Sequence, residues 1–451
     1  MRASAIAERA GVRSVSIVAE GFVDQAKAVA LSLGMPDLAI AVYPDVIMTD
    51  DAEQLRVNSL SLGEQIAAGL DREYSEVEVK REPYEPTEEV FSGSLDDVQQ
   101  FFRDQLWTDG LPIIPPTAER VELFLNLTRN KPHEAIATLA PEYRQATAWN
   151  IAVNGVMAGC RPEYMPVLIA LVKAIADPAF HLENAGSTAG LEPVIIVSGP
   201  IVRTLQFNFG AGLTRPGVQA NTTISRFLRL AMRNIAGFRT HPGTNDMATF
   251  GLAPIPAIAE DVNVASEIGW PSYGEDRGFS PESSIVTVMS TAGVTQAGAA
   301  AGPSAETYLQ CIVNEIGESL WAKLAWCGIG WPSLHPLLLM SPSVAQAIAR
   351  GGWSKDTLRR RLAESIFVKA SAMEQAAWAD GASDFSLARF VREGRLPSTF
   401  AKSDDPDRLV PAIWNPAGIQ IVVCGDPHRN RVMGYIQAGG HGEPISREIE
   451  S

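Results

Sequence analysis

The sequence has little cysteine and no long apolar run. Four cysteines (Cys160, Cys311, Cys327 and Cys424) are scattered through 451 residues. They form neither a CxxC pair nor a compact framework, which argues against a disulfide scaffold and a thiolate zinc site. No uninterrupted apolar stretch reaches the roughly 18 residues of a membrane-spanning helix. The best candidate is broken by Arg161, Pro162, Glu163, Pro166 and Lys173. The opening residues, MRASAIAERAG, carry no apolar leader segment. Together with the cysteine usage, this gives the expectation of a cytoplasmic protein. There is no HExxH motif, no carboxylate-rich triad at ligand spacing, no dinucleotide fingerprint and no Gly-Lys pair of a P-loop, so zinc, NAD and ATP have no support and no metal site is expected. A net charge of −15 disfavours nucleic acid and acidic membrane surfaces as partners.

One absence is local. Between Glu192 and Asp246 there is no acidic residue, while Arg203, Arg215, Arg226, Arg229, Arg233 and Arg239 all fall inside that window. A purely basic segment in an acidic chain suits a carboxylate or phosphate on a small ligand, or an acidic patch on another subunit. Helix arginines paired with carboxylates from elsewhere in the fold would look the same.

With 46% hydrophobic residues the chain has enough apolar material for a large core and two or three domains. Its most chemically loaded stretch is Thr147 to Asp177, TAWNIAVNGVMAGCRPEYMPVLIALVKAIAD. Apolar residues recur at helical spacing before Gly159 and after Pro166, predicting two buried helices joined at Gly159-Cys160-Arg161-Pro162. Cys160 at a helix start beside Arg161 is a candidate thiolate nucleophile, with Glu163 in the same first turn. The same features fit a small residue buried at a helix joint.

Residues 1–80 read helix, strand, helix, strand, helix, which implies parallel strands in an α/β layer. Two strands do not close a doubly covered sheet, so this piece reads as a half-domain. Residues 81–110 read as a charged linker or arm, with the highest charge density over 71–97. The stretch AIAERAGVRSVSIVAEGFVDQAKAVALSLGMPDLAIAVYPDVI resembles the C-terminal half of the UGSC-like (seleno)protein family over roughly residues 3–70. In that family a redox motif of selenocysteine or cysteine, Gly, Ser and Cys precedes the corresponding first helix. Met1 falls just after that place, and no cysteine occurs before Cys160. The resemblance therefore carries over no redox residue. It implies either a small partner subunit that supplies the thiol or selenol, or the loss of that chemistry.

Residues 111–451 read as the main α/β domain. An echo runs through it. EPVIIVSGP (192–200) and HPLLLMSPS (335–343) are apolar strands, each preceded by a long helix (162–176 and roughly 303–325) and followed by a glycine loop and an Arg-rich helix. Two related halves, 145–275 and 283–435, are suggested. SSIVTVMS (283–290) and GIQIVVCG (418–425) are further buried-strand runs. The fold class is thus α/β, with mixed or parallel sheets covered by helices. Ligands in such folds bind beyond the carboxyl ends of strands, placing Ser198 and Ser341 near a cleft.

Three loops complete the candidate set. FNFGAGLTRPGVQANTTISRF (207–227) places Gly210, Gly212 and Gly217 before Asn221, with Arg215 beside them, an anion-binding arrangement. FRTHPGTNDMATFG (238–251) holds His241, Asn245 and Asp246, a possible base with orienting partners. CGDPHRNRVMG (424–434) places Cys424, Asp426, His428 and Arg429 directly after a strand. The expectation is a cytoplasmic, oligomeric enzyme acting on a small anion. Cys160, His241, Glu163 and Asp246 would do the chemistry, and Arg161, Arg203, Arg215, Asn221, Ser198, Asn245, His428 and Arg429 would bind. Cysteine-based redox or carbon–sulfur chemistry follows only from the resemblance. The alternatives are a subunit whose reactive thiol or selenol lies on a partner chain, and an acid/base hydratase or lyase with Cys160 structural.

Overall fold

The computed structural model describes residues 1–72, 88–187, 190–239, 245–246, 248–330, 334–437 and 442–450. Its first unit holds two parallel strands, β1 (Ser16–Ala19) and β2 (Ile40–Tyr43), with helices Arg2–Arg9, Val23–Ser32 and Ala52–Leu70. The last helix starts where Asp51 accepts the backbone N–H of Gln54, a side-chain cap for an otherwise unpaired donor. Several apolar side chains of this unit face solvent, among them Ile6 (69% exposed) and Leu60 (67%).

Residues 88–110 fold onto the main body. Ser94 and Asp97 form a capping box that starts the helix Leu95–Asp104, and Phe101, Phe102 and Trp107 meet edge to face. A hairpin follows, β3 (Ala135–Leu139) with β4 (Arg144–Thr147). Thr147 and Asn150 then form a capping box for the helix Ala148–Ala158, which stops at Gly159 in the left-handed region (φ +83°).

The body is built around two sheets. β5 (Glu192–Ser198) pairs in parallel with β6 (Ile258–Ala259) and antiparallel with β7 (Ile285–Thr291). Two short strands, β8 (Gly293–Val294) and β9 (Gly298–Ala299), come next. β10 (Leu337–Met340) begins the second sheet, and β11 (Phe367–Lys369) and β12 (Leu409–Pro411) form a side ribbon. β10 pairs in parallel with β13 (Gln420–Val423) and antiparallel with β14 (Arg431–Ile436). The final strand, β15 (Ile445–Glu448), pairs with β7, whereas β8 pairs with β14. The chain thus crosses between the sheets twice: β8 and β9 join β14 in the second sheet, and β15 returns to β7 in the first.

Alternation along the strands sets the layers. Val194, Ile196, Met289, Leu337, Leu339 and Val422 meet between the two sheets. Ile195, Val197, Val286 and Val288 face the helices Ala148–Ala158, Met165–Ile175 and Gln219–Ala231. Leu338, Met340, Ile421 and Val423 face the helices Ala305–Ile312, Pro342–Arg350 and Lys355–Ser365. The result is helix, sheet, sheet, helix, and each buried aliphatic side chain contributes about 1.5–3 kcal/mol.

The helix predicted over roughly 303–325 is not one helix. Ala305–Ile312 passes into a π-helical turn, Val313–Glu318, and a 3-10 turn, Trp321–Leu324. Among the described residues no single helix is long and apolar enough to cross a membrane.

Candidate functional site

Parallel β10 and β13 end side by side at Met340 and Val423, so Ser341 and Cys424 emerge next to each other. Ser341 is the N-cap of the helix Pro342–Arg350, with proline at a first-turn position where no N–H is needed. Its Oγ accepts the Arg431 N–H at 3.2 Å, and its own N–H donates to the Arg431 carbonyl at 3.0 Å. The opposite wall comes from the other half. Gly425 donates its N–H to the Phe209 carbonyl at 2.7 Å, holding the glycine loop over these strand ends.

Between them lies a cleft of about 210 Å³ lined by Gly210, Gly212, Ser341, Asp426, Arg429 and Arg431, over apolar Leu213, Leu339, Cys424 and Met433. Glycines allow close backbone approach, and the start of a nine-residue helix adds partial positive charge. A cavity of about 480 Å³ lies elsewhere, between Asn126–Asn130, Pro166, Lys173, Glu448 and Glu450. It is larger, but its Arg129 and Lys173 are balanced by Glu448 and Glu450, with Lys173 paired to Glu450 at 3.1 Å, whereas the β10–β13 cleft, where Arg429 lies 4.0 Å from Asp426, keeps a net positive lining.

Asn221 does not line the cleft. Buried, it accepts the Asn208 N–H at 2.8 Å and donates to the Asn208 and Ala257 carbonyls at 2.9 and 2.7 Å, clamping the base of the glycine loop. Arg215 and His428 are exposed near the loops and outside the lining.

Ser198 does not share the cleft. Its Oγ donates to Glu260 Oε2 at 2.6 Å and accepts the Gly274 N–H at 3.3 Å, while the Tyr273 N–H donates to Glu260 at 2.8 Å. Glu260 and Lys355 are fully buried. Lys355 Nζ lies 2.9 Å from Asp276 and 4.0 Å from Glu260, and Arg359 reaches Asp276 at 2.8 Å. Burial pushes the Glu260 carboxyl up, against the pull of Lys355. Of this network only Ser198 stands out in the sequence; the signal for Glu260 is an acid directly after the apolar run Ile255–Ala259.

The Cys160 environment differs from the expected thiolate site. As expected, a helix starts there: the 3-10 turn Pro162–Tyr164, entered from Arg161, runs directly into Met165–Ile175, but burial outweighs its dipole at Cys160. The thiol is buried, and burial pushes it up to about 12 despite its interaction with the Thr223 hydroxyl and the Arg226 charge. Arg161 stacks on Tyr164 with 4.9 Å to the ring centre and reaches the Leu205 carbonyl at 3.4 Å, while Glu163 points to solvent. Such a thiol is protonated at neutral pH.

The basic segment is largely neutralised by acids outside its window. Arg226 grips Asp109 through two 2.8 Å bonds, Arg229 lies 3.5 Å from Glu192 and 3.7 Å from Asp246, and Arg239 lies 3.9 Å from Glu142. Arg233 donates to the Leu106 carbonyl at 2.7 Å and Arg203 covers the Phe209 ring. The anion expected along this helix therefore has competitors already in place. Glu192 is buried, and burial, reinforced by Asp246 and opposed by Arg229, pushes its carboxyl up to about 7. Asn245, buried with φ +51°, donates to Gly237 and Glu142. His241 lies outside the described residues. Neither Arg431 nor Glu192 stood out in the sequence, since each is one charge at the edge of an apolar strand. Among the described residues no three His, Cys, Asp or Glu side chains group as metal ligands.

No curated protein and no solved structure gives a match to this chain. Residues 1–72, the unit with β1 and β2, match the UGSC family, so the chain carries a UGSC family domain ahead of its two-sheet body.

Proposed function

We propose that the protein is an enzyme that binds a small anionic substrate in the cleft at the ends of β10 and β13. The observation that carries this reading is the convergence of the glycine loop at 210–214 with Ser341, Asp426, Arg429 and Arg431 around one 210 Å³ cavity. Arg431 and Arg429 meet the ligand's charge, the glycine backbone allows close approach, and Asp426 is the group placed to move a proton. Cys424 forms part of the floor, but burial and the neighbouring Glu260 and Asp261 push its thiol up, so it acts as an apolar wall. This favours acid/base chemistry over a thiolate reaction of the chain's own.

A second reading has its own support. The UGSC domain leaves Ile6, Ile17, Leu31, Val46 and Leu60 exposed around a sheet of two strands, as a subunit that pairs with another polypeptide would. In that case a thiol or selenol on the partner would supply the redox or carbon–sulfur step.

Calorimetric titration of the full chain with acetate and with inorganic phosphate tests the primary reading. At least one binds, and Arg431→Ala weakens it about tenfold or more while unfolding remains cooperative. Absence of binding by either probe, or equal binding by Arg431→Ala, removes the cleft from the account.

A further inference from the structure

Resting on that reading, we propose that the cleft's ligand is an amphiphilic monoanion, a carboxylate on a short aliphatic chain, rather than a phosphate dianion. Two features of the lining point there. The first is charge: Arg429 and Arg431 contribute two positive charges and Asp426, 4.0 Å from Arg429, one negative, a balance of +1 that one carboxylate neutralises. A second negative charge on the ligand would face Asp426 without a matching cation, and Asp261, whose N–H donates to the Val423 carbonyl at 2.8 Å, lies behind the floor.

The second feature is the floor. Leu213, Leu339 and Cys424 belong to the core between the two sheets, so the cleft opens onto the edge of that core. Their hydrogen-bonding capacity is nil or weak, and a ligand made only of charged oxygens would lose water against them without compensation. An alkyl chain gains about 0.8 kcal/mol per buried CH₂ there, roughly a fourfold gain in affinity per carbon. At about 210 Å³ the space is below the roughly 300–1,000 Å³ of drug-sized pockets, which keeps the chain short. Ala297, an exposed small residue in the lining, leaves room for it.

The test is calorimetric titration of the full chain at pH 7 with acetate, butyrate, hexanoate and inorganic phosphate, repeated on Ala297→Phe. Affinity is expected to rise from acetate to butyrate to hexanoate by about threefold to fourfold per carbon until the chain outgrows the cleft, with phosphate weakest. Ala297→Phe, a surface change that leaves the core intact, should weaken hexanoate about tenfold and acetate by less than threefold. Equal binding of the three carboxylates, or phosphate as the tightest probe, overturns the amphiphile while leaving an anion site. No binding of any probe overturns that site as well.

Discussion

Both halves of the body have a strand with a parallel partner on one side and an antiparallel partner on the other, yet their carboxyl ends are occupied in opposite ways. The registers place Ser198 opposite Ile285 and Ser341 opposite Arg431, and the residue following the parallel partner is Glu260 in the first half and Cys424 in the second. In the first half the Ser198–Glu260 pair is filled by the backbone of Tyr273 and Gly274 and locked to Lys355. In the second half the corresponding end is open and roofed by the first half's glycine loop. One strand arrangement can thus serve as a buried anchor or as a ligand site. The difference lies in a few residues past the strand ends.

The turns after the two serines illustrate this. Gly199 adopts φ +98° with the Ser283 carbonyl so near that an added Cβ would sit 2.2 Å from it, and only the short helix Ile201–Thr204 follows. Pro342 starts a nine-residue helix at once, aiming its N-terminus at the cleft.

The comparison breaks most severely if the buried anchor is dispensable. Glu260→Ala strands Lys355 with less compensation and should cost about 3–5 kcal/mol in urea unfolding, against at most roughly 2 kcal/mol for Cys424→Ala at the open end. A loss under 1 kcal/mol for Glu260→Ala would mean that the network does not hold the first half closed.

The closed half should also be chemically quiet. With Cys160 near 12 rather than its ordinary 9, its thiolate fraction at neutral pH is roughly a thousandfold lower. Iodoacetamide should label Cys311, which is only partly buried, well before Cys160 in the native protein, with mass spectrometry of peptides as the readout. Cys160 labelling first would restore it as a nucleophile.

Glu192, at the opposite end of β5, sets a pH dependence. Its folded value of about 7 lies above the ordinary 4.5, so its contribution is fully present below pH 4.5 and is lost as pH rises through 7, roughly 3 kcal/mol in all. Glu192→Gln should flatten that part of the stability profile measured by denaturant unfolding from pH 5 to 8. An unchanged profile would show that Glu192 is not the titrating group.

The smallest effect concerns the turns themselves. Gly199→Ala should cost about 1–3 kcal/mol, while Pro342→Ala should stay within about 1 kcal/mol, both read from the urea midpoint. Equal costs would show that the two turns do not differ in strain.

Much of the fold was legible because its strands are short apolar runs with punctuating turns. Glu192–Ser198, Ile285–Thr291 and Gln420–Val423 are buried along their whole length, the pattern that alternation-free apolar runs encode. The glycine loop and the segment after Val423 each carried visible chemistry, but that they face one another depends on the packing of two separate sheets, which brings Phe209 to Gly425 some 200 residues on and which local propensity does not report. Cys160 failed as a guide for the opposite reason. Local spacing placed it at a helix start, whereas its protonation is decided by the helices packed around it. The arginine window was read correctly as a charge anomaly, but its partners, Asp109 and Glu142, come from sequence far outside it.

The most direct test is a crystal structure of the full chain grown with hexanoate. The account predicts its carboxylate between Arg431 and Ser341 beneath Gly210–Gly212, with the alkyl chain against Leu339 and Met433. Hexanoate held instead against Lys173 and Arg129, with the β10–β13 end unoccupied, would contradict it.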